Sequence, residues 1–159
     1  MTDLKPKNPD FDAVVRNSFG RQSFMDFIGA DLTQLSAGSC DISVPHQAGL
    51  TQQHGFFHGG LVSALADSAA GYAAFSLFPA NSTVLTVDFK VNFLNPSEGK
   101  LLIAKAQVIS MDRKICHVNG DVFAMKDGRE IHCLTGIFTM MCLEGRSDSA
   151  NLGRAKVAS

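Results

Sequence analysis

The sequence predicts an α+β fold in which one long apolar helix lies across a curved antiparallel sheet of about six strands. Three observations carry this expectation. Residues Leu61 to Phe78 are predominantly apolar and small up to Pro79, a run far longer than a strand. Three segments of high β-propensity follow it: Ser82–Leu94, Lys100–Met111 and Ile115–Met125. A fourth, Glu130–Leu143, comes after Asp127-Gly128-Arg129, a tight-turn sequence that sets two strands side by side.

The elements read in order as follows. Residues 1–10 are polar and proline-bearing and form an N-terminal arm. Asn8-Pro9-Asp10 suits a helix start, and Phe11, Val14, Val15 and Phe19 recur at helical spacing until Gly20. From Met25 to Leu35 the pattern becomes alternating, Ser36-Ala37-Gly38 turns the chain, and Cys40, Ile42 and Val44 alternate up to Pro45. That predicts two antiparallel strands. Residues 46–60 form a long connection containing four glycines. In the helix after it, Ala64, Ala66, Ser68, Ala69, Ala70, Gly71, Ala73 and Ala74 are small, so other backbones can approach it closely and it should be central. The folded unit is then 11–143, with 144–159 a polar tail.

At 159 residues the chain fits one domain able to bury roughly two thirds of its unfolded surface. Hydrophobic residues make up 45% and charged residues only 18%, a shortfall that points to apolar surface covered by a second subunit. The net charge is −1 and no basic block exceeds two residues, which argues against nucleic acid as a partner. No apolar run approaches the roughly 18–20 residues of a membrane span. The polar start has no secretory signal, and a cytoplasmic location is expected. Cys40, Cys116, Cys133 and Cys142 stand far apart and read as buried small hydrophobes. The five histidines show no metal-ligand spacing, so no metal is expected.

Asp67 is the one charged residue of the long helix. Its neighbours Leu65-Ala66 and Ser68-Ala69-Ala70 give it no polar face to share, and a carboxylate is costly to bury without partners. An acid kept in such a place suits a general base or nucleophile; the structural alternative is a solvent-facing edge or a loop cap. Upstream, His58-Gly59-Gly60 marks the helix start. There the first N–H groups lack partners, and glycines let a carbonyl approach them and its oxyanion be stabilised. Spacing alone leaves open whether the glycines serve this or only relieve a tight turn. His58 reads as a cap, a packed side chain or a pocket residue, and Gln52 in its glycine-rich loop carries no meaning by itself.

His58-Gly59-Gly60 with Asp67 nine positions after the histidine, Gln52 six before it, and the strand Leu85-Thr86-Val87-Asp88-Phe89-Lys90-Val91-Asn92-Phe93-Leu94-Asn95-Pro96 together resemble the hotdog-fold acyl-CoA thioesterases. The resemblance is nearest to the phenylacetate-degradation type and covers residues 24–141. It implies hydrolysis of aryl- or medium-chain acyl-CoA, with Asp67 attacking the thioester or activating a water. The Gly59 N–H would polarise the carbonyl, Gln52 assist, Thr86 hold the water and His58 bind or orient. Gly60 and Phe57 would line the substrate. No separate cofactor is implied, since coenzyme A belongs to the substrate.

The resemblance also implies a homo-oligomer, a dimer joined sheet edge to sheet edge and commonly a dimer of dimers. Its active sites would form between the loop of one chain and the acid of the other. The phosphates of coenzyme A call for basic residues: Arg113 and Lys114 at the turn before Ile115, then Lys90. Where relatives often carry a basic residue before the strand-ending proline, this chain has Asn95. Phe56, Phe57, Tyr72, Phe75 and Phe78 are either acyl-pocket aromatics or plain core. Two alternatives on the same fold are a non-hydrolytic acyl-CoA-binding protein and a 3-hydroxyacyl dehydratase or hydratase. A pure binder has no reason to bury Asp67, and the second motif of a hydratase is not visible.

Overall fold

The computed structural model describes residues 4–148. Helices α1 (Phe11–Gly20) and α2 (Ser23–Ile28) precede strands β1 (Asp31–Ser36) and β2 (Ser39–Pro45). A single 3-10 turn, Ala48–Leu50, leads to helix α3 (Gly59–Phe75). Strands β3 (Ser82–Phe93), β4 (Leu101–Met111), β5 (Ile115–Lys126) and β6 (Arg129–Glu144) complete the chain. All six strands join one antiparallel sheet in the order β1-β2-β4-β5-β6-β3. The expected α+β plan is the observed one.

Helix α3 lies against β2, β4 and β5 because alternate residues of those strands point at it and both surfaces are small. Ala66, Ala69, Ala70, Ala73 and Ala74 are fully buried against Ile42 and Val44, Leu102 and Ala104, and Val118 and Val122. The helix ends at Ser76, whose buried hydroxyl donates to the Ala73 carbonyl and accepts from the Gly38 N–H at 2.8 Å. That bond pins its C-terminus to the β1–β2 turn. All four cysteines are buried and free, and burial pushes the Cys40 and Cys116 thiols up to about 12.

Three expectations are corrected. Residues 23–28 are helix α2, not strand: Met25 and Ile28 are buried three apart while Phe24 and Phe27 stay exposed, and Gly29 ends the turn at φ 68°. Only Asp31 onward is strand. The N-terminal arm is docked from Leu4 onward: Leu4 packs on the core, the Lys7 N–H donates to the Leu77 carbonyl, and Asn8 is buried. The polar tail is not loose at its start, because β6 runs to Glu144 and Asp148 is held by Arg21 and Thr83. Residues 1–3 and 149–159 of the arm and tail lie outside the described residues.

Two features place β3, the strand that borders the helix acid. Gly120 and Gly136 face each other across β5 and β6, and the buried ring of Phe138 occupies the space their missing side chains leave. A Cβ on Gly136 would stand 2.8 Å from the Lys90 carbonyl oxygen and 2.7 Å from Val91 Cγ1, both on β3. Farther along, a bulge at Val87 breaks the β3–β6 register between Thr86 and Asp88. We expect Gly136→Ala to force β3 off β6 and cost about 1–3 kcal/mol, read as a lowered midpoint in denaturant unfolding. A midpoint equal to the parent's would show that β3 is not held this tightly.

Candidate active site

His58 takes the N-cap of helix α3 in an extended conformation, and its Nδ1 accepts the Gly60 N–H at 2.9 Å. His58 is thereby a cap with its Nδ1 committed, and the Gly60 N–H is spent on it. The Gly59 N–H at the first helical position has no partner among the described residues. A Cβ on Gly59 would meet only the Phe93 ring, at 3.3 Å. One donor at the positive end of the helix therefore stands free for a carbonyl oxygen.

Asp67 lies two turns farther on. Gly59, Gly60, Ser63, Ala64, Asp67 and Ser68 form the one stripe of α3 that is not fully buried, and this stripe runs beside β3. Asp67 is thus half-buried on the helix edge, and its Oδ1 accepts the Thr86 hydroxyl at 2.9 Å. Burial pushes the carboxyl above its ordinary range, and the Thr86 hydrogen bond pulls it part of the way back. Asp67, Ser68, Gly71, Tyr72, Val84 and Thr86 line a cavity of about 350 Å³ between α3, β3 and the end of α1. An acid with a raised pKa, oriented by a hydroxyl at a cavity wall, can take a proton from water or attack an electrophilic carbon.

The other predicted residues do not converge on Asp67 within one chain. Gln52 sits in a turn where its side-chain Oε1 accepts the His54 N–H and its backbone bonds Phe56 and Gly55. Phe57 is 3% exposed and packs edge-on to His46, so it is core and not substrate lining; Phe75 and Phe78 are core as well. Of the candidate aromatics, Tyr72 alone lines the Asp67 cavity. Lys90 is exposed on β3, 3.2 Å from Asn92 Oδ1. Arg113 and Lys114 occupy the β4–β5 turn, at the end of the sheet where α3 finishes. Gly59 adjoins Phe93 at the other end.

Side chains not anticipated from the sequence also border the cavity: Ser18, Arg21 and Gln22 from the end of α1, Thr83 from β3, and Asp148. They come from segments far apart in the chain, and no local pattern marks them.

The chain matches the thioesterase superfamily over residues 54–131, a span that includes His58, Gly59, Asp67 and Thr86. A thioesterase family protein of Silicibacter pomeroyi is 44% identical and superposes with a TM-score of 0.84, the match covering 85% of this chain and 99% of that one. A candidate esterase of Halobacterium salinarum is 30% identical, covering 63% of this chain and 69% of the other. The Escherichia coli PaaI protein, from the phenylacetic acid degradation operon, shares the fold at 17% identity and a TM-score of 0.78 over 88% of this chain and 98% of its own. The helix-and-sheet architecture and the sequence match converge, and this chain belongs to the thioesterase superfamily.

Proposed function

We propose that the protein hydrolyses acyl-CoA thioesters to the free acid and coenzyme A, with Asp67 as nucleophile or general base. The observation that carries this reading is the Thr86–Asp67 hydrogen bond at the wall of a cavity, which aims one oxygen of a half-buried acid and leaves the other unbonded. As nucleophile, Asp67 attacks the thioester carbonyl carbon, the carbon–sulfur bond breaks and the thiolate leaves, taking a proton from solvent. Water then cleaves the mixed anhydride. As base, Asp67 takes the proton of a water that attacks the same carbon. Either route develops negative charge on the carbonyl oxygen, and the Gly59 N–H is the free donor suited to it.

The reading requires two subunits. Gly59 and Asp67 are eight residues apart on one helix, hence about 12 Å along its axis, too far to grip one carbonyl together. The edge strand β3 supports the pairing, since it exposes Leu85, Val87, Phe89 and Phe93. A second copy on that edge would cover this apolar surface and bring Gly59 of the partner subunit toward Asp67. A dimer is the smallest complete unit, and a dimer of dimers is compatible with it. Gln52 and His58 then act from the loop beside Gly59, and Lys90, on the same edge, is the candidate for the coenzyme A phosphates, with Arg113 and Lys114 behind it. A cytoplasmic location belongs to this reading and is supported by the four free thiols. Among the described residues no helix is long and apolar enough to cross a membrane.

Three outcomes test it. Asp67→Asn keeps an acceptor for Thr86 and should lose about 10²–10⁴-fold in turnover of acyl-CoA, followed by thiol release. The folded pKa of Asp67 is raised, so its stabilising contribution is full below the unfolded pKa and is lost as pH rises through the folded one. The same variant should therefore melt higher than the parent at neutral pH and lose that advantage on acidification. Full activity in the variant would end the proposal.

Thr86→Val removes the bond that lowers the Asp67 pKa, so the acid limb of the kcat/KM profile should move to higher pH. An unmoved limb would mean that another group sets it.

Gly59→Pro deletes one N–H at the first helical position, where proline is tolerated, and should cost about 10²–10³-fold. Mixed dimers of Gly59→Pro and Asp67→Asn chains keep one intact site if the site is shared. Random assembly then returns about a quarter of parental activity. Mixed dimers that form yet stay inactive would place both groups in one chain.

A further inference from the structure

One side chain flanks the free donor at the start of α3. A Cβ on Gly59 would stand 3.3 Å from Cζ and 3.4 Å from Cε1 of Phe93, and apart from the local chain no other heavy atom lies within 4 Å of that point. On a helix the Cα–Cβ bond tilts toward the N-terminus, the direction in which the unpaired N–H groups of the first turn also point. The Phe93 ring therefore stands beside the Gly59 N–H, at the end from which a carbonyl oxygen must reach it.

The ring is held in place through its backbone. Phe93 closes β3 opposite Leu134 of β6, which is fully buried. The Leu94 N–H donates to the Cys133 carbonyl at 2.8 Å, and the Asn95 side-chain amide to the His132 carbonyl at 2.9 Å. Two residues on, the Ser97 carbonyl accepts the Phe57 N–H at 2.9 Å, one position before the His58 cap. The end of β3 and the entrance of α3 are thus one hydrogen-bonded unit. Phe93 is nevertheless 55% exposed and is not part of the buried core. Its contact is with the glycine that carries the donor.

We infer that Phe93 is a positioning residue of the thioester site: its ring walls the Gly59 N–H on one side, keeps water from that donor and holds the carbonyl oxygen on it. The inference rests on the reading that Gly59 binds a thioester carbonyl. A lone N–H facing water stabilises an oxyanion weakly, because water competes for the same bond and screens it. An apolar wall removes both effects. The second copy that would cover β3 closes the other side of the same space. A wall beside the carbonyl acts on every acyl-CoA alike, whereas a residue of an acyl pocket favours some chains over others.

The test uses hexanoyl-CoA and phenylacetyl-CoA as substrates. The probe is S-(2-oxoheptyl)-coenzyme A, isotope-labelled at its carbonyl, a ketone with no thioester bond to break. Phe93→Ala should lower kcat and kcat/KM together by at least about tenfold, by the same factor for both substrates, with the dimer intact in light scattering. The infrared carbonyl stretch of the bound probe should lie below its value in water in the parent and return to that value in the variant. Phe93→Leu keeps most of the apolar area, should fall between the two, and carries the test if the alanine variant loses the dimer. A stretch that is the same in parent and variants, or a loss of rate that depends on the acyl group, overturns the inference. If the parent hydrolyses neither thioester, the proposed function itself fails; a parent that hydrolyses both, with Phe93 variants equal to it, removes only the role of Phe93.

Discussion

The closeness of α3 to the sheet is the constraint on which the rest of the molecule depends. Its side chains are small enough that buried alanines meet the inner faces of β2, β4 and β5 directly. A helix held that tightly has a fixed rotation, because turning it would drive Leu65 or Tyr72 into strands that have no room for them. Fixed rotation decides which residues remain on its open stripe. Asp67 is among them, at the boundary between core and surface. The raised pKa of this acid is a consequence of that packing, which the Thr86 hydrogen bond offsets only in part.

The open stripe lies beside β3, and β3 is where folding and chemistry meet. As an edge strand it has one unpaired side, and beside the charged Asp88 and Lys90 it presents the apolar Leu85, Val87, Phe89 and Phe93. A bulge at Val87, next to Thr86, re-aims the strand where the Thr86 hydroxyl reaches Asp67. One short stretch thus orients the acid and carries the surface that a second copy would cover. The two roles are compatible because alternate residues of a strand point to opposite faces, so Thr86 turns inward while its neighbours face out.

The far wall of the cavity is built on a different principle. Arg21 and Thr83 both bond the Asp148 carboxylate, which makes a polar surface inexpensive to shelter and leaves it little to offer a ligand.

Much of this was legible in the chain. The apolar length of α3, the β-propensity of the four strands after it and the Asp127-Gly128 turn are local properties, and the structure keeps them within a few residues. The isolation of Asp67 among small apolar neighbours is also local, and so is the free N–H expected at a helix start, though His58 was readable only as one of several roles until its ring was seen capping Gly60. Helix α2 is not legible in the sequence because six residues hold too few turns for Met25 and Ile28 to outweigh the alternation of the strand that begins at Asp31. Strand order, the edge position of β3, the Thr86–Asp67 bond, the burial of Phe57 and the docking of Asp148 were decided only in three dimensions. Each depends on groups brought together across tens of residues. Local propensity specifies elements, whereas contact between distant segments follows from which faces pack, and that is fixed only when the whole core closes around α3.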